Sequence, residues 1–96
     1  MNKMEQLKKD LTKEVTVINE LGLHARPAAM IARLAMQAEA GVWLIKNDEE
    51  VDATSIIDIL SLSGSRDSRI TLRIENPSDS EILEKISALF ETGFKE

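Results

Sequence analysis

Read as alternating apolar and polar positions, the chain falls into four short extended runs and three helical ones. Val15, Thr16, Val17 and Ile18 make a β-branched first strand between Glu14 and Asn19, and Asn19 to Gly22 are turn residues. Good helix formers fill the stretch from Ala25 to Glu39, with Ala28, Ile31, Leu34, Ala35 and Ala38 at core-facing helical spacing; Gly41 suits a left-handed cap at its end. Met30 and Met36 are expected as packing filler on that helix. Val42-Trp43-Leu44-Ile45 and Val51, separated by a polar stretch, predict a hairpin turning near Asn47 and Asp48, in which Trp43 is half-buried packing. Ser55 and Asp58 then match the pattern that caps a short second helix, and Gly64 to Ser68 form a polar turn. Ile70, Leu72 and Ile74 alternate with Thr71, Arg73 and Glu75, the cleanest period of two in the chain. Asn76-Pro77 breaks this strand, Ser78 with Glu81 makes a second capping pattern, and Ile82, Ile86, Leu89 and Phe90 share one face of a third helix that Gly93 stops.

The order βαββαβα, with one apolar face per strand, predicts an α+β fold in which a four-stranded antiparallel sheet is covered on one face by three helices. A ferredoxin-like split β-α-β is the competing topology. Within the second helix, Ile56, Ile57, Ile59, Leu60 and Leu62 are too many for one buried stripe. Ile59 and Leu62, three apart, are expected to face the sheet, and Ile56, Ile57 and Leu60 to supply an exposed apolar patch beside Asp58. Ahead of the first strand, Met4, Leu7 and Leu11 stand at helical spacing, too short a run to hold a helix without a docking surface. Residues 1–12 are therefore expected as a flexible extension and residues 13–96 as the one domain.

Composition narrows the function. Twelve basic against seventeen acidic residues leave a net charge of −5, which argues against nonspecific nucleic-acid binding. No apolar run approaches a membrane span, the first residues lack the apolar core of a signal peptide, and there is no cysteine for a disulfide framework. A cytoplasmic protein is expected.

Chemistry concentrates in Gly22-Leu23-His24-Ala25-Arg26-Pro27-Ala28-Ala29, where the single histidine meets the start of the first helix. Pro27 suits a first turn, because its missing N–H has no intrahelical acceptor to lose. The unpaired amides of that turn and the helix dipole favour an anion beside His24, and Arg26 adds a guanidinium fork for phosphate oxygens. A neutral imidazole nitrogen is a nucleophile near neutral pH, so phosphoryl acceptance is the chemistry suggested. A histidine in this place also serves as a plain surface cap. One histidine without cysteine supplies too few soft ligands for a zinc centre, and no GxSxG elbow is present for a serine nucleophile.

The string from Gly22 to Ala28 resembles the active-site signature of HPr, the histidine-containing phosphocarrier family of the bacterial phosphoenolpyruvate-dependent phosphotransferase system, and the resemblance extends over roughly residues 14 to 94. It implies the open-faced β-sandwich of that family and a cytoplasmic, monomeric carrier with a transient phosphohistidine rather than an independent catalyst, needing no cofactor and no metal. His24 would take a phosphoryl group on Nδ1 from enzyme I and pass it to an enzyme IIA domain in sugar uptake or its regulation, with Arg26 stabilising the phosphate. The docking surface would include Ala29, Ile56, Ile57 and Leu60. Ser55 falls where relatives carry a serine modified by HPr kinase/phosphorylase, although its capping role accounts for it here. Thr54 replaces a frequent lysine, Asp58 a glycine or basic residue, and Ser63 a glycine. The strings Lys46-Asn47-Asp48-Glu49 and Ala88-Leu89-Phe90-Glu91-Thr92-Gly93-Phe94 look closer to NPr, the nitrogen-related paralogue. The alternative function is a noncatalytic regulatory module that uses the same surface to dock a kinase or a transcription factor.

Overall fold

A computed structural model describes residues 11–96. Its elements are β1 (Thr12–Thr16), α1 (Ala25–Ala35), β2 (Val42–Lys46), β3 (Glu49–Asp52), α2 (Ile56–Ser61), β4 (Arg69–Ile74) and α3 (Ser80–Glu91), in the order βαββαβα. The sheet runs β1-β4-β2-β3. Every neighbouring pair is antiparallel, with Val15 opposite Ile70, Leu44 opposite Leu72 and Lys46 opposite Glu49. β4 lies between β1 and β2, the strands that flank α1, and β3 is at the sheet edge; a ferredoxin-like sheet would put β3 between those two strands, so that alternative falls. The Asn47-Asp48 turn joins β2 to β3, with Asn47 at φ 55°, a conformation its short polar side chain tolerates.

One face of the sheet is the floor of the core. Val15, Val42, Leu44, Ile70, Leu72 and Ile74 are buried there against Ala28, Ile31, Ala32 and Ala35 of α1, Ile59 of α2, and Leu83, Ile86 and Phe90 of α3. The rings of Phe90 and Phe94 meet edge to face at 5.0 Å, a geometry that adds about 0.5–1.5 kcal/mol to their burial. The other face carries no helix, and there the Arg73 guanidinium lies 4.2 Å above the Trp43 ring and pairs with Glu50.

Several expectations are corrected. The first strand is not Glu14–Asn19: ladder pairing runs from Thr12↔Arg73 to Thr16↔Arg69 and stops where β4 starts. Val17 instead exchanges bonds with the preceding loop, donating to the Ser68 carbonyl at 2.9 Å and accepting from the Asp67 amide at 2.7 Å. At the other end the Leu11 carbonyl accepts from the Ile74 amide, so Leu11 leads directly into β1; Met4 and Leu7 lie outside the described residues.

Helix α1 ends at Ala35, short of Glu39, because its last turn tightens to Gln37→Leu34 and Ala38→Ala35 bonds and the buried Asp79 carboxylate takes the next amides, Glu39 at 2.9 Å and Ala40 at 3.1 Å. Gly41 is not left-handed; a Cβ there would overlap the outer edge of the Trp43 ring, which would have to move aside. Met36 is 70% exposed and fills no core gap. Ser78 caps nothing: Asn76 Oδ1 accepts its amide at 3.0 Å, a 3-10 turn Pro77–Asp79 intervenes, and the Ser78 hydroxyl donates to Glu39.

Candidate functional site

The loop before α1 is clamped from both sides. Asn19 accepts the Gly22 amide on its carbonyl at 3.1 Å and donates its side-chain Nδ2 to the Gly22 carbonyl at 2.7 Å, closing the turn. Gly22 sits at φ 67°, and a Cβ there would strike the Gly64 carbonyl, so only glycine fits. The Leu23 amide donates to that same carbonyl at 2.8 Å while its side chain is buried under the loop. His24 follows as the N-cap of α1: its backbone is extended, its carbonyl accepts the Ala28 amide at 3.0 Å, and its side chain makes no capping bond. The ring is thus free to face outwards, one-third exposed, onto a cavity of about 270 Å³ lined by Leu21, Leu23, Ser63, Gly64 and Ser65. The amides of Ala25 and Arg26 have no intrahelical acceptor, and the positive end of the helix dipole lies beside the ring.

A residue far along the chain completes the site. Glu96 Oε2 lies 2.7 Å from His24 Nε2 and 3.2 Å from Arg26 Nη1, and Glu96 Oε1 accepts from Asn19 Nδ2 at 3.0 Å. Arg26 also donates to the Phe94 carbonyl at 3.2 Å. The hydrogen bond from Asn19, helped by those from His24 and Arg26, holds the Glu96 carboxyl below the usual carboxylate range although partial burial opposes it. Glu96 is therefore ionised at neutral pH. A carboxylate can only accept, so His24 Nε2 carries the proton in this contact. Among the described residues no hydrogen bond reaches Nδ1, which leaves that nitrogen with an open lone pair beside the helix start.

The comparisons with known proteins decide the family. Residues 11–92 match the family model described as the phosphotransferase-system HPr component phosphorylation site. This chain belongs to the HPr family. It is 35% identical to the phosphocarrier protein HPr of Cupriavidus necator over 86 residues, covering 90% of this chain and 97% of that one. It is 38% identical to the phosphocarrier protein NPr of Escherichia coli over 84 residues, covering 85% and 92%. The crystal structure of HPr-C-His from Thermoanaerobacter tengcongensis superposes with a TM-score of 0.83 at 32% identity, covering 88% of this chain and 96% of that one.

The other residues named from the HPr signature lie on α1 and α2, which pack against each other. Ala29 is half-buried. Ile59 and Leu62 are buried, while Ile56, Ile57 and Leu60 are exposed at 41%, 78% and 40%, the division that their spacing predicts. Ser55 caps α2, its Oγ accepting the Asp58 amide at 3.2 Å. Lys46 Nζ closes the far end of that helix on the Leu62 and Ser63 carbonyls. Sequence reasoning missed Glu96 and the carbonyl of Phe94, and read Asn19 only as a turn residue. Among the described residues no group of three acidic, histidine or cysteine side chains could hold a metal, and no helix is long and apolar enough to cross a membrane.

Proposed function

We propose that this HPr-family protein is a cytoplasmic phosphocarrier in which His24 Nδ1 accepts a phosphoryl group from phospho-enzyme I and passes it to an enzyme IIA domain. The observation that carries the reading is the open Nδ1 at the start of α1, in a ring whose other nitrogen is engaged by Glu96. Phosphoryl transfer asks little covalent work of a protein beyond its nucleophile; it asks for position and for stabilised charge. Position comes from the Gly22–Gly64 clamp and charge stabilisation from Arg26 and the first-turn amides. Partners dock on Ala29 and the apolar surface of Ile56, Ile57 and Leu60, beside the carboxylate of Asp58. Ser55 acts as a helix cap. The relatives include both HPr and NPr proteins at similar identity, so either the sugar or the nitrogen-related branch supplies those partners.

The test is incubation with enzyme I and phosphoenolpyruvate followed by intact mass measurement. One acid-labile phosphate is expected on the wild type and none on His24→Ala, with Arg26→Ala labelled more slowly. Labelling of His24→Ala would overturn the assignment. An unlabelled wild type that still binds enzyme I would favour the noncatalytic module instead.

A further inference from the structure

Helix α2 ends on a loop that a strand on the other side of the turn supports. The Leu62 and Ser63 amides bond back to the Ile59 and Leu60 carbonyls at 3.2 Å each, which leaves the Leu62 and Ser63 carbonyls beyond the last turn. Lys46, at the end of β2, takes both: its Nζ donates to Leu62 at 3.3 Å and to Ser63 at 3.0 Å. Ser63 itself stands at φ 52°, a left-handed conformation that is costly for a residue with a side chain. The compensation is at its carbonyl, which accepts from Lys46 Nζ and from the Ser65 amide at 2.9 Å.

The turn made at Ser63 sets Gly64 against the segment that carries His24. The Gly64 carbonyl accepts the Leu23 amide at 2.8 Å, and the two residues pack so closely that a Cβ on Gly64 would lie 2.7 Å from Leu23 Cδ1. Leu23 is buried and immediately precedes His24. Ser63, Gly64 and Ser65 form one wall of the cavity of about 270 Å³ that the His24 ring faces, and Lys46 braces that wall from outside the cavity.

We infer that Lys46 is a positioning residue for phosphoryl transfer: by holding the Leu62 and Ser63 carbonyls it fixes the Gly64 carbonyl on which Leu23 and His24 hang, and so sets where His24 Nδ1 stands when the donor arrives. The inference rests on the phosphocarrier reading of His24. In the step itself the Nδ1 lone pair forms the N–P bond while the donor's bond to phosphorus breaks and its electron pair leaves with the donor. The lysine takes no part in this exchange, and its protons stay on Nζ. Its effect is geometric, and a misplacement of about 1 Å at a reacting atom can cost about 10²-fold in rate.

Lys46 is also the member of this path that can be changed by itself. A side chain on Gly64 would strike Leu23, and the second donor to Ser63 is a backbone amide. Lys46 is half-buried and lies outside the hydrophobic core, so its removal opens no cavity there. Ile59 and Leu62 stay anchored in that core and Ser55 still caps the other end of α2, so the exposed patch of Ile56, Ile57 and Leu60 keeps its place.

The experiment compares the wild type with Lys46→Met, which keeps an unbranched stem without a donor, and with Lys46→Arg, which restores donors. Native-state hydrogen exchange of the Leu23 amide is recorded with no phosphoryl donor present, using the amides of the inner strand β4 as the reference for global stability. Phosphorylation by enzyme I and phosphoenolpyruvate is followed in parallel. Lys46→Met should raise exchange at Leu23 several-fold relative to β4 and lower kcat several-fold with KM unchanged, and Lys46→Arg should recover most of both. Exchange at Leu23 that keeps its wild-type ratio to β4, a wild-type kcat in Lys46→Met, or a change confined to KM would each overturn the inference. Failure of the phosphocarrier reading shows itself separately, as a wild type that accepts no phosphate; the exchange rates need no donor and judge the hold of Lys46 on the loop independently.

Discussion

Replacing Gly22 with alanine tests whether the loop that presents His24 is as tightly determined as its geometry implies. Two costs follow from the structure. The first is conformational: at φ 67° a Cβ crowds the backbone, worth about 1–2 kcal/mol. The second is a collision, since the new methyl would run into the Gly64 carbonyl and lie 3.0 Å from Ser65 Cα, both backbone groups that cannot rotate away. Relief requires parting the two loops, which breaks the 2.8 Å bond from the Leu23 amide to Gly64 and forfeits about 0.5–1.5 kcal/mol more. The sum is about 1.5–3.5 kcal/mol, a large share of the stability of a domain this small, and lowers the melting temperature by roughly 10–20 °C. Gly93→Ala is the control. It has a similar φ of 59°, but its nearest obstacle is the flexible Ile18 side chain at 3.4 Å, so only the conformational cost applies. Urea unfolding of both variants, with the slope checked for two-state behaviour, measures the difference. A Gly22→Ala loss below about 0.5 kcal/mol, or one equal to that of Gly93→Ala, would refute the argument that backbone collision fixes this loop.

Three further outcomes are expected. Ser55→Ala should cost about 0.5–2 kcal/mol by urea unfolding and Ser55→Asp less, since aspartate also caps; equal losses would show that the hydroxyl bond to Asp58 contributes nothing. Ile56→Glu and Leu60→Glu, at positions already 41% and 40% exposed, should unfold like the wild type yet raise KM for phosphorylation by enzyme I at least several-fold in one of the two. Unchanged constants in both would mean that the patch is not a docking surface. Because the Glu96 carboxyl titrates below its ordinary value in the folded protein, its contribution to stability is complete above the unfolded value and is lost as pH falls through the folded one. Glu96→Gln should therefore lie below the wild type in urea midpoint near neutral pH and converge with it in acid, and a constant gap at all pH would contradict the linkage.

Much of the fold was legible because its signals are local. The alternation of Ile70, Leu72 and Ile74 names a strand and its buried face at once, and all three are fully buried. The spacing of Ile59 and Leu62 against Ile56, Ile57 and Leu60 likewise sorts inside from outside on α2. What escaped was set from a distance. Nothing near Glu39 announces that α1 stops early; the carboxylate that takes the next amides belongs to Asp79. The limits of β1 follow from where β4 begins, a matter of register that β-branched residues alone do not carry.

The site divides along the same line. His24, Arg26 and Pro27 are neighbours in sequence, so helix-capping chemistry alone brings them to one place. Glu96 joins them through three successive left-handed residues, two of which are not glycine, and that path exists only because a buried Phe94 ring anchors it. The one local sign, Gly93 after an apolar helix, reads as a stop and gives no hint that the chain then doubles back. Asn19 carries a comparable double role: one amide group closes the turn through Gly22 and fixes the Glu96 carboxylate through the same nitrogen. The placement of His24 at the start of α1 is thus a property of a short motif, whereas which of its two nitrogens is engaged is a property of the tertiary fold. Changing Phe94, whose ring is buried against Phe90, should for that reason disturb the tautomer of His24, read from its ring-nitrogen NMR shifts, as well as stability.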